Sequence, residues 1–181
     1  MPKYKPLKSA DTVHKFTLIL CSIAPLLLII ILDMVAFVPF WLTDSFWIGS
    51  DLALASVFYW AVYAPARFKL SSAALAGLMS DILFMTPLGS QTLIFISVFL
   101  TSTKLRRLII TKSFRFVWSF FLLISAIVSV LLWAIISLAN QKVCAFIPIA
   151  ENAFIAWLCY PAVVLCCNTL LKVLQRFHPY E

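Results

Sequence analysis

Long apolar stretches separated by short polar breaks run the length of the chain. Six apolar segments can be drawn, at about 16–41, 46–65, 70–85, 89–103, 114–139 and 152–174. A helix needs roughly 20 apolar residues to cross a hydrocarbon core, with a lower limit near 17. The first and fifth segments are long by that measure. The second, third and fourth are short, which predicts tilted outer helices around a thinned middle. Beyond the six segments there is no 20–50 residue repeat and no low-complexity tract. The pattern predicts one all-α integral membrane domain over 1–181, a polytopic six-helix bundle.

Composition sharpens this. Of 181 residues, 64 % are hydrophobic and 12 % charged. Soluble domains sit near half and a quarter, so this chain lacks the polar residues to cover a water-facing surface. The first apolar run is too long for the h-region of a cleaved signal, and no small-x-small site follows it. It reads as a first span behind a basic leader.

Charge then sets an orientation. The net charge is +7. Lys3, Lys5, Lys8 and Lys15 precede the first segment. Arg67 and Lys69 separate the second and third. Lys104, Arg106, Arg107, Lys112 and Arg115 separate the fourth and fifth, and Lys172 and Arg176 follow the sixth. The alternate connections carry Asp44, Asp51, Lys142 and Glu151, or no charge. All but one of the 14 Lys and Arg therefore fall on one side. This is the positive-inside pattern, and it predicts cytoplasmic termini. The basic excess needs no nucleic-acid partner. The 104–115 connection is placed to meet anionic lipid. Trp41, Phe46 and Trp47 at one level, and Tyr59, Trp60 and Tyr63 at the other, predict interfacial aromatic belts.

Candidate chemistry is sparse. The cysteines are Cys21, Cys144, Cys159, Cys166 and Cys167, an odd number without a C-x-x-C pair. The two histidines, His14 and His178, lie near opposite chain ends. This predicts no disulfide framework, no metal site and no cofactor; the cysteines read as small apolar side chains. Ser125, Ser129 and Asn168 read as helix-packing residues.

The stretch GLMSDILFMTPLG, residues 77–89, places Asp81 in an apolar run. An acid at mid-span costs about 2.5–3.5 kcal/mol on insertion scales. Asp81 lies either near the outer interface, solvated or capping a turn, or inside the bundle as a buried acid. Its neighbours favour the interior. Ala73, Gly77 and Asp81 recur at four-residue spacing, and so do Ser72, Ala76 and Ser80; small residues so spaced let helices approach closely in lipid. The third segment is accordingly expected to be a central helix. Ser90, Gln91 and Thr92 are candidate partners for Asp81 across the turn Thr86-Pro87-Leu88-Gly89, where Pro favours the turn and Gly a left-handed exit. Ser90 is placed to cap the fourth helix. Asp33, between Pro25 and Pro39, lies at similar height, and two such acids can line a shared polar cavity. No His, Lys or nucleophile–base spacing accompanies them, so no catalytic residues are assigned. Arg67, two residues after Pro65, reads as a topology anchor.

The run YWAVYAPARF followed by GLMSDILFMTPLG resembles the MreD family of rod shape-determining membrane proteins. The family's aromatic pair falls on Tyr59 and Trp60, its Pro-x-Arg on Pro65 and Arg67, its Gly-x-x-x-Asp on Gly77 and Asp81, and its Pro-Leu-Gly on Pro87, Leu88 and Gly89. Tyr160-Pro161 matches a later aromatic-Pro pair. The likeness covers mainly residues 55–100, and elsewhere rests on topology and length. Four residues after the Asp the family often has Gly; Met85 stands there, so the outer turn is expected to start differently. The resemblance implies a non-enzymatic scaffold of the elongation complex in the bacterial inner membrane. It implies binding to MreC and, through it, to RodA and a class B penicillin-binding transpeptidase under MreB filaments, in support of lateral peptidoglycan synthesis. The implied fold is similar to the six-helix substrate-binding component of energy-coupling-factor transporters. That likeness supplies the alternative, a vitamin-type ligand-binding subunit. On the scaffold reading Asp81 is a structural acid, so Asp81→Asn is expected largely to preserve folding and complex formation and Asp81→Leu to impair them.

Overall fold

The computed structural model describes residues 23–37, 51–139, 141 and 146–177. They form six helices: α1 (Ile23–Phe37), α2 (Asp51–Tyr63), α3 (Leu70–Leu83), α4 (Ser90–Ile110), α5 (Phe114–Ala139) and α6 (Ile147–Phe177). No strand occurs among the described residues.

The centre of the bundle is α2. Its sequence, DLALASVFYWAVY, is apolar on every side, and a helix without a polar face has to be enclosed. Every residue from Ala53 to Val62 is buried, and the helix touches α4, α5 and α6. The expectation of a central third helix is thus corrected: α3 buries one face, packed mainly on α4. The aromatic belt expected at the end of α2 is corrected too. Tyr59 and Trp60 are 3 % and 0 % exposed. They meet edge-on, inside the bundle rather than at an interface, and Tyr59 packs at a tilt on Tyr63, which alone of the three is exposed.

The faces of α3 are reversed relative to a water-soluble helix. Ala73, Ala76, Gly77, Ser80 and Asp81 are inside, while Leu75, Leu78, Met79 and Ile82 are outside. On α5, Ser125 and Ser129 are inside and Leu122, Leu123, Ile127, Val130 and Leu131 outside. An outer surface of this kind suits hydrocarbon, with small and polar groups used between helices. Two helical stretches, Phe114–Ala139 and Ile149–Arg176, are long and apolar enough to cross a membrane.

Element boundaries differ from the sequence pattern in physically simple ways. The fourth helix is 21 residues long, not short, because it continues through Lys104, Arg106 and Arg107 to Ile110. Lys, Arg and Leu are good helix formers, and Ile109 is still buried. The sixth begins at Ile147, before the expected 152, and reaches Phe177 with Pro161 inside it. The third ends at Leu83 and the second at Tyr63. Cys21, Cys144, His14, His178, Trp41, Phe46, Trp47, Pro39, Asp44 and Lys142 lie outside the described residues.

Polar ties cross the apolar packing. Arg106 Nε donates to the carbonyl of Val62 at 2.7 Å, placing a cation at the C-terminus of α2, where the helix dipole favours it. Phe68 meets Phe99 edge-on. These contacts bring the α2–α3 connection and the lower part of α4 to one level, the basic end of the bundle. Between α5 and α6, Trp118 and Trp157 stack at 4.9 Å, and the Trp118 indole donates to the Trp157 carbonyl at 2.9 Å.

Candidate functional site

At the opposite end of α3 the chain makes a tight hairpin into α4. The last turn of α3 closes with Phe84 N–H on Ser80 O at 3.0 Å and Thr86 N–H on Asp81 O at 3.1 Å. The second of these spans five residues, as in a Schellman closure, which needs a left-handed residue just before it. That residue is Met85, at φ 51°. Here the resemblance expects Gly, and the turn keeps the left-handed geometry with Met in its place. Pro87 follows, and Gly89 at φ 97° makes the second reversal. Only glycine adopts that backbone without cost.

Asp81 is 1 % exposed, and its carboxylate sits on the first turn of α4. Oδ1 accepts from Gln91 N–H at 2.9 Å, Thr86 Oγ1 at 2.8 Å and Ser90 Oγ at 3.0 Å. Oδ2 accepts from Gly89 N–H at 2.9 Å, Thr92 Oγ1 at 3.1 Å and, longer, Thr92 N–H at 3.4 Å. The first N–H groups of a helix have no partner within it, and its N-terminus favours negative charge. Asp81 meets both needs from a neighbouring helix. The expectation that Ser90 caps α4 is corrected: the N-cap residue is Gly89, without a side-chain cap. The Ser90 hydroxyl reaches Pro87 O at 2.6 Å as well as Asp81.

Gly77 lets the two helices come this close. A methyl group at its Cα would stand 2.5 Å from Thr92 Cα, 2.8 Å from Thr92 N and 3.1 Å from the Gln91 carbonyl carbon. One turn separates Gly77 from Asp81, so the bare backbone and the acid act on the same two residues of α4.

Asp33 joins from α1. It is 1 % exposed, and its Oδ2 accepts from Ser80 Oγ at 2.6 Å; Ser80 also reaches Ala76 O at 3.0 Å. Phe37 packs edge-on against Phe84 beside it. Asp33 and Asp81 thus hold α1 and α4 to adjacent positions of α3.

The structure brings together Gly77, Asp81, Pro87, Gly89 and Gln91, with Asp33 one residue removed through Ser80. Gln91 takes part through its backbone N–H. Pro65 and Arg67 lie at the other end of α3. There Arg67 is half-buried, its N–H bonded to Ala64 O at 3.1 Å, and no described group pairs with its buried Nη1. The sequence pattern marked Ser80 only as a small packing residue and Arg106 only as a topology charge, not as partners of Asp33 and of the Val62 carbonyl. Ser80 carried a signal in its four-residue spacing from Ala76, whereas Arg106 was one basic residue among several. Among the described residues no cluster of His, Cys, Asp and Glu could hold a metal ion.

The sequence model of the family described as rod shape-determining protein MreD matches residues 14–170. The chain belongs to the MreD family. The match takes in α1 to α5 and most of α6, well beyond the 55–100 region where the resemblance was read. No curated protein and no solved structure matches the chain. In this MreD-family chain the motif residues Gly77, Asp81, Pro87 and Gly89 are all parts of one helix-to-helix clamp.

Proposed function

We propose that this chain is a non-enzymatic, six-span scaffold of the rod-shape machinery in the bacterial inner membrane, with both termini cytoplasmic. It binds MreC and, through it, RodA and a class B penicillin-binding transpeptidase under MreB filaments, in support of lateral peptidoglycan synthesis. Its fold is taken to be similar to the substrate-binding component of energy-coupling-factor transporters. One observation carries the reading. Both oxygens of Asp81, the most distinctive intramembrane acid, are engaged by the first turn of α4. An acid so occupied sets the shape of a surface and is not exposed to a substrate.

The family's role in rod shape supports the setting, and the apolar outer faces of α3 and α5 support the multi-pass reading. The test is purification from a mild detergent followed by mass spectrometry of what is retained. A single-span MreC partner, with no bound vitamin and no ATPase module, is the expected result. Stoichiometric vitamin with an ATPase module would replace this reading with the transporter one.

A further inference from the structure

Helices α4 and α5 are joined by only three residues, yet they pack against each other sparsely. The former leans on α2 and α3, the latter on α6. Where they diverge, a lateral groove of about 260 Å³ opens. Leu93, Ser97 and Thr101 line it on α4, and Ile127, Leu131 and Ile135 on α5. Leu93, Ile127 and Leu131 are about half exposed or more, at 62 %, 53 % and 49 %. In hydrocarbon such a recess is filled by an acyl chain or by protein, because an empty one forfeits its dispersion contacts.

Charge selects between these occupants. From Leu93 to Thr101 the groove runs about 12 Å along α4, close to the ~15 Å half-thickness of a hydrocarbon core. It runs toward the basic end. Lys104 lies three residues after Thr101 and seven after Ser97, so it continues the same face of α4. Arg107 follows one turn on, and Lys112, over the Phe116 ring at 6.0 Å, with Arg115 on the adjoining start of α5. Lys104 and Arg107 are exposed.

We propose that the groove holds one acyl chain of an anionic phospholipid, with its headgroup phosphate at Lys104 and Arg107. The groove is about 12 Å long along α4, long enough for most of an acyl chain, its walls are aliphatic, and Lys104 stands one turn beyond its basic-side end. The proposal rests on the bilayer-spanning part of the reading above and not on MreC, so loss of the partner leaves it intact.

The test is native mass spectrometry of the full chain from micelles holding equal phosphatidylglycerol and phosphatidylcholine. Wild type should retain one phosphatidylglycerol in preference. Each cation near an anionic lipid is worth roughly fivefold, so Lys104→Gln with Arg107→Gln should lower that preference by about 25-fold. Ser97→Phe fills the groove from an exposed position and should abolish retention with the charges intact. Ile127→Trp fills it from the other wall, should Ser97→Phe not fold. Equal retention of the two lipids, an unchanged preference in the charge variant, or unchanged retention in the filled variants overturns the proposal. So does a photo-crosslinker at position 97 that captures a protein helix instead of lipid.

Discussion

Replacing Gly77 by Ala gives a test in which two effects have opposite signs. In an open helix position, Ala is more favourable than Gly by about 1 kcal/mol. At this position the added methyl would lie 2.5 Å from Thr92 Cα, where contact distances between carbons are about 3.5–4.0 Å. Relief requires α4 to move roughly 1 Å away from α3. The Asp81 bonds to Gln91 N–H and Gly89 N–H, both 2.9 Å, would stretch toward 3.9 Å, beyond hydrogen-bond range. Overpacking costs about 1–3 kcal/mol, and hydrogen bonds to a charged group contribute about 1.5–3 kcal/mol. After the gain in helix propensity, the net expectation is a loss of about 3 kcal/mol, or roughly 150-fold in the folding equilibrium. The assay is reversible unfolding in mixed micelles, followed by tryptophan fluorescence, for Gly77→Ala with and without Asp81→Asn. Because both substitutions act on the same clamp, their costs should be less than additive. A neutral or stabilising Gly77→Ala would refute the close approach, and full additivity would refute its coupling to Asp81.

Met85→Gly should stabilise the protein by roughly 0.5–1 kcal/mol, since it relieves a left-handed non-glycine whose side chain is 91 % exposed; the same unfolding assay reads it, and a loss of stability would contradict the turn geometry. Single cysteines at Thr43, Thr86 and Lys142, in a chain stripped of its own cysteines, should label from outside intact cells. An inside signal at Lys142 would break the six-span topology.

Much of the site was legible because its devices are local. Gly77 and Asp81 are one turn apart, and the Pro87–Gly89 turn limits what Asp81 can reach, so Ser90 and Thr92 followed as partners. The clamp itself was not legible, since it depends on backbone N–H groups that carry no sequence identity. The centrality of α2 was missed for a related reason. In lipid, outer faces are as apolar as inner ones, so hydrophobicity does not mark the buried helix; the even apolarity of α2 and the small-and-polar face of α3 were the usable signals. Tyr59 and Trp60 suggested an interface because such residues favour one. Here Trp60 is wholly buried, with Tyr59 edge-on against it. The end of α4 was misplaced because basic residues mark a membrane boundary without ending a helix.

The geometry of Asp81 also revises the expectation that Asn would substitute for it. Both oxygens face backbone N–H donors, so an amide turned either way points its own N–H groups at a donor. At least one charge-assisted bond is lost, at about 1.5–3 kcal/mol. The most direct measurement is therefore Asp81→Asn in a rod-shaped strain depleted of its own MreD-family protein, scoring protein level, MreC retention and cell shape together. The structural account predicts that all three fall together, with Gly77→Ala giving the same pattern. Wild-type level and full MreC retention without restored rods would contradict it, and would assign the carboxylate a chemical role of its own.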